Sequence, residues 1–149
     1  MSDLDLETTI DKFVFRVRKA YRYTPEGLWV SREENRYRIG IGDFLQQKNG
    51  DVAYVELPHV GLQLEAGDVL ITIETMKTSF DVLSPVSGEV VAVNSELNDN
   101  PERINEDPYG AGWLAEIECS SAPGVLLDAP AYFQVMSEEA AQEAAKLGR

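Results

Sequence analysis

Apolar and polar residues alternate in short runs along most of the chain, and turn signals separate the runs, a pattern that predicts strands more than helices. The strongest stretch runs from Val69 to Val93 and reads as strand, tight turn, strand, turn, strand. β-Branched and apolar residues flank its first turn, Thr75-Met76-Lys77-Thr78, which suits extended, half-buried chain. That turn lacks Gly, Asn and Asp, so type I geometry is expected rather than the mirror-image type I′. Upstream, Leu28-Trp29-Val30 and Tyr37 to Ile41 predict strands, Thr24-Pro25-Glu26-Gly27 a turn, and Arg32 to Arg36 a charged connection. Asp43 is placed to cap a short helix over Phe44 to Lys48, ended by Asn49-Gly50. Asp51 to Leu57 alternates, with Val52, Tyr54 and Glu56 on one face and Ala53, Val55 and Leu57 on the other.

The ends are less regular. Leu6 to Lys19 reads equally as strand or as short helix, because Phe13-Val14-Phe15-Arg16-Val17-Arg18 alternates only in part. Gly112 to Cys119 is expected to close the sheet region, and Leu126 to Phe133 to form a short packed helix. Ser137 opens a separate terminal helix to Lys146, stopped by Gly148, whose Ala and Glu content predicts weak anchoring. The corners Leu57-Pro58-x-x-Gly61 and Ser84-Pro85-x-x-Gly88 look like one device used twice, with a positive φ expected at Gly88. Such a pseudo-repeat suggests two similar sheets of three or four strands over one core, a flattened barrel or sandwich. The expected division is an N-terminal extension (1–20), a main domain (21–134) and a C-terminal helix with tail (135–149).

Composition narrows the function. A net charge of -13 argues against nucleic acid and against an anionic membrane surface. No run approaches the roughly 20 apolar residues of a membrane helix, and the acidic start lacks the features of a signal peptide, so a cytoplasmic protein is expected. The single cysteine, Cys119, excludes an internal disulfide and suits a small apolar strand position. His59, beside Pro58 with no second ligand or base nearby, is assigned no chemistry. With one histidine, one cysteine, no nucleophile elbow and no Gly-rich phosphate loop, the chain is expected not to be an enzyme.

The candidate chemistry is Lys77. An exposed turn lysine is ordinarily a solvated charge, but the chain has only five lysines and this one occupies the tip of its best strand pair. Glu74-Thr75-Met76-Lys77-Thr78 followed by Ser84-Pro85-Val86-Ser87-Gly88 resembles the attachment hairpin of lipoyl and biotinyl domains. Further blocks extend the likeness: Tyr23-Thr24-Pro25, Ile39-Gly40-Ile41-Gly42-Asp43, Asp107-Pro108-Tyr109-Gly110, Gly112-Trp113-Leu114 and Leu126-Leu127-Asp128. From about Tyr23 to Phe133 the chain thus resembles the glycine cleavage system H protein family. Biotin carriers usually have methionine on both sides of the lysine, whereas Thr78 follows here.

The resemblance implies a mainly β, barrel-sandwich hybrid of two small antiparallel sheets with short peripheral helices and a C-terminal helix. It also implies a lipoate covalently attached to Lys77, swinging between partner enzymes. Met76 and Thr78 are then candidates for recognition by the lipoate attachment enzyme, with Glu74 and Asp81 flanking the tip. Where family members usually show Ser-His-Glu-Trp, this chain has Glu26-Gly27-Leu28-Trp29, and Phe44 replaces a second family histidine; Asp81 survives. Losing a carboxylate at Leu28 would cost about 1.5–3 kcal/mol of contact with a cationic amine. On that ground the expected role is carriage of sulfur in a heterodisulfide-reductase-like sulfur-oxidation system. The alternative is a glycine cleavage H protein, carrying an aminomethyl group from decarboxylase to aminomethyltransferase.

Overall fold

The computed structural model describes residues 3–120 and 124–147, and its sheets are antiparallel throughout. Strands β1 (Asp5–Ile10) and β2 (Phe13–Arg18) form a separate hairpin, which settles the ambiguous N-terminal stretch as strand. Its two-residue turn puts Asp11 and Lys12 at φ 50° and 76°, the left-handed pair that a tight hairpin turn requires. Next come β3 (Arg22–Tyr23), β4 (Leu28–Glu33), β5 (Arg36–Ile41), α1 (Asp43–Asn49), β6 (Val52–Glu56) and β7 (Gln63–Leu64). The lysine-bearing hairpin is β8 (Val69–Thr75) and β9 (Ser79–Leu83), followed by β10 (Gly88–Val93), a 3-10 turn at Ser95–Asn98 and α2 (Arg103–Glu106). Strand β11 (Ala115–Cys119) and helix α3 (Ala129–Leu147) complete the chain.

One sheet runs β3-β4-β5-β11-β10-β7 and the other β6-β8-β9. The expected pair of sheets over one apolar core is there, a barrel-sandwich hybrid, but the two are not alike: six strands, with β3 and β7 only two residues long, face three. Ile39, Ile41, Leu70, Ile71, Ile73, Val90 and Ile117 meet between them. A register shift between Val52 and Tyr54 breaks the alternation expected of β6, so Val52 and Val55 are both buried while Tyr54 faces water. The two proline corners use glycine for different reasons. Gly61 has φ 99° and open space around it, whereas Gly88 does not have the expected positive φ. A Cβ at Gly88 would lie 2.0 Å from the Glu118 carbonyl oxygen, so close backbone approach is the constraint there.

A second core joins the two ends of the chain. Phe15 and Val17 of β2, Phe44 of α1, Tyr23, Trp29, Tyr109, and Tyr132, Met136 and Ala140 of α3 pack together. Tyr23 stacks on Tyr132 at 4.6 Å and Tyr21 on Trp29 at 4.6 Å. Hydrogen bonds bind this aromatic cluster to backbone: Trp29 Nε1 donates to Pro108 O, Tyr109 Oη to Arg16 O and Tyr23 Oη to Arg18 O. The Asp-Pro-Tyr block is therefore a structural anchor.

The same cluster corrects the C-terminal expectations. α3 is one helix, because Pro130 falls in its first turn, where no amide hydrogen is needed. Ala129, Tyr132, Met136 and Ala140 recur at helical spacing on its buried face, so it is firmly anchored. Ser137, expected to cap, sits mid-helix with its Oγ buried and unpartnered, and Gly148 lies outside the described residues. Asp43 does not cap α1 either. Gly42 holds that place, and the buried Asp43 carboxylate accepts from Arg16 N–H, Gln46 Nε2 and Gln47 Nε2, tying α1 to β2.

Candidate functional site

Lys77 stands at the tip between β8 and β9, exposed, with Met76 80% exposed beside it. Neither residue has positive φ, which fits the expected type I class of turn. The Thr75 side chain closes it: Oγ1 accepts from the Lys77 and Thr78 amides at 3.1 and 2.9 Å, while Thr75 N donates to Thr78 O. The tip is also held from the side. Met76 N donates to Asp51 O, and Asn105 secures that neighbouring chain by accepting from Val52 N and donating to Gly50 O. Asn105 is a positioning residue that sequence reasoning did not single out; its only signal was its place two residues before Asp107-Pro108-Tyr109-Gly110. The Lys77 ammonium donates to the Lys48 carbonyl at 3.1 Å, at the C-terminal end of α1, where a cation is favoured.

The expected flanking residues separate by location. Glu74 and Thr78 are exposed at the tip. Asp81, four residues beyond Lys77, accepts from Thr72 Oγ1 at 2.8 Å and lines a groove of about 390 Å³. Leu28, Leu45 and Phe80 give that groove an apolar floor, and Glu26 joins Asp81 in its lining. Glu26 is delivered by the turn Thr24–Gly27, where Gly27 has φ 110° and donates to Thr24 O. Leu28 thus removes one carboxylate from the family pattern, but Glu26 brings another to the same groove as Asp81. The pairing was invisible in the sequence because only closure of the barrel sets β9 against that turn. Phe44, at the other altered position, is buried against Phe15 in edge-to-face contact at 5.5 Å.

Burial and the neighbouring phenol Tyr109 push Tyr23 above the ordinary phenol range; burial does the same to Tyr109 and Tyr132. These groups stay neutral in the fold and supply no acid or base at Lys77. Among the described residues there is no group of three or more His, Cys, Asp or Glu placed to hold a metal, and no helix long and apolar enough to cross a membrane.

A small β barrel presenting one lysine on a rigid, water-exposed turn is the design of a carrier domain. The comparisons define which kind. Residues 21–143 match the glycine cleavage H-protein family, and the chain belongs to that family. It is 47% identical over 123 residues to the glycine cleavage system H protein of Anoxybacillus flavithermus, covering 81% of this chain and 97% of that one. It is 48% identical over 105 residues to a probable glycine cleavage system H protein of Pyrococcus abyssi, covering 70% and 78%. The crystal structure of a glycine cleavage system H protein from Mycobacterium marinum superposes with a TM-score of 0.73 at 32% identity, covering 89% of this chain and all of that one. Members of the family are non-catalytic carriers with lipoate bound covalently to a lysine.

Proposed function

We propose that this chain is a cytoplasmic H protein of a glycine cleavage system, lipoylated on Lys77, which carries an aminomethyl group between the decarboxylase and the aminomethyltransferase. The observation that carries this reading is the exposed Lys77 side chain on a turn braced by Thr75, Asp51 and Asn105. A fixed root and a free arm suit a group that several enzymes must reach, including the lipoate attachment enzyme. When bound, the lipoyl group supplies a dithiolane whose sulfurs accept and release the cargo. About ten single bonds give the arm a reach of roughly 14 Å, and Asp81 lies at most about 13 Å along the strand from Lys77.

Glu26 and Asp81 favour this reading over sulfur carriage. Together they line one groove and offer negative charge to a cationic amine, Glu26 making up for the carboxylate that Leu28 takes away. The relatives point the same way, since those compared above bear the glycine cleavage name. Intact-mass measurement of the native protein is expected to show one added lipoyl group, lost in Lys77→Arg with the fold unchanged. The lipoylated protein, given glycine and a glycine decarboxylase, is expected to take up the aminomethyl group. A lipoylated protein that stays unloaded would remove the glycine cleavage assignment and leave only the carrier.

A further inference from the structure

A second groove is lined by Lys77 itself, and much of the rest of it is built by parts of the chain outside the main barrel. Its volume is about 160 Å³, and Ile10, Phe13, Phe15, Phe44, Ala140 and Ala144 supply its apolar lining, with Asp11, Gln47 and Glu143 also on it. Two of its walls come from the β1–β2 hairpin, which precedes the matched residues 21–143, and from α3. Phe13 is 58% exposed there, although it faces Phe15 at 6.5 Å. The Lys77 side chain itself forms part of the wall, together with Lys48, whose carbonyl receives the Lys77 ammonium.

We infer that this groove is a berth for the protein's own oxidised lipoyl arm, an inference that rests on lipoylation of Lys77. Its size supports this: a cavity of about 150 Å³ accommodates a benzene ring, so a five-membered dithiolane fits. Its chemistry matches as well, because sulfur packs well against the edges of aromatic rings and three phenylalanines line the groove. Acylation removes the lysine charge but leaves one amide hydrogen, which can keep the bond to Lys48 O and hold the root of the arm at the groove. Tethering then supplies an effective concentration in the millimolar range, so even a weak site is filled. In this berth the dithiolane is withdrawn from solvent, in a groove that neither Glu26 nor Asp81 lines.

The test uses the full chain, first shown by intact mass to be fully lipoylated. Nuclear Overhauser contacts are expected between the dithiolane protons and the rings of Phe13, Phe15 or Phe44. Reduction of the arm by a water-soluble phosphine should be about threefold or more slower than for free lipoamide, as two-thirds occupancy implies. Phe13→Glu and Phe13→Ala, at an exposed position, should restore the free rate. Contacts to Leu28 or Phe80 instead, or no contacts with reduction at the free rate, overturn the berth while leaving the carrier function standing. A chain lacking the lipoyl mass overturns both together.

Discussion

At the scale of single residues, the tip depends on one hydroxyl. Thr75 Oγ1 accepts two amides that would otherwise rely on water, and it also donates to Thr78 O. Thr75→Val is expected to cost about 1 kcal/mol and to slow lipoylation of Lys77, with Thr75→Ser restoring both; urea midpoints and the rate of mass gain measure it. The glycine corners give a second contrast. Gly88→Ala drives a methyl into the Glu118 carbonyl and should cost about 3 kcal/mol or more. Gly61→Ala meets open space, so only its positive φ opposes the change, at about 1–2 kcal/mol. Equal midpoints for the two variants would contradict this account. The attachment turn was legible in the sequence because a turn is local and β-branched flanks declare it. That Glu26 and Asp81 line one groove was not, since nothing in a linear pattern says which strand closes against which turn.

At the scale of elements, the barrel strands were readable because each has an apolar face supplied by its own residues. The hairpin β1–β2 and helix α3 were harder, for the same physical reason. Phe15 and Val17 are buried by residues distant in the chain, on α1, on α3 and in the aromatic cluster, and the Ala-rich face of α3 is buried against the same cluster. Propensity therefore left the first open between strand and helix and split the second between Phe133 and Ser137. The bulge in β6 is a similar case: one extra residue moves Val55 to the core side. Asp43 shows a different failure, because a residue suited to capping serves as an inter-element tie.

At the scale of the molecule, three phenols share the second core, and each is held above its ordinary range by burial first. A phenol is neutral when protonated, so a raised value in the fold means full stabilisation below about pH 10. As pH climbs past that point, the unfolded chain loses protons that the folded chain keeps, and stability falls. The slope is about 1.4 kcal/mol per pH unit for each phenol, or about 4 for three. Guanidinium midpoints should hold level from pH 8 to about 10 and then fall toward that slope up to pH 11.5, and Tyr132→Phe should reduce the fall by about a third. A flat profile would mean that the cluster opens to water. The two ends of the chain also meet in this cluster, with β1 and β2 packed against α3. On a ribosome the hairpin is made roughly 110 residues before the helix that covers it, a wait of about 5–20 seconds at ordinary elongation rates. During that interval Phe15 and Val17 lack the cover that α3 gives, so nascent chains are more exposed to proteases and chaperones at the hairpin, and release of α3 is the event that ends the risk.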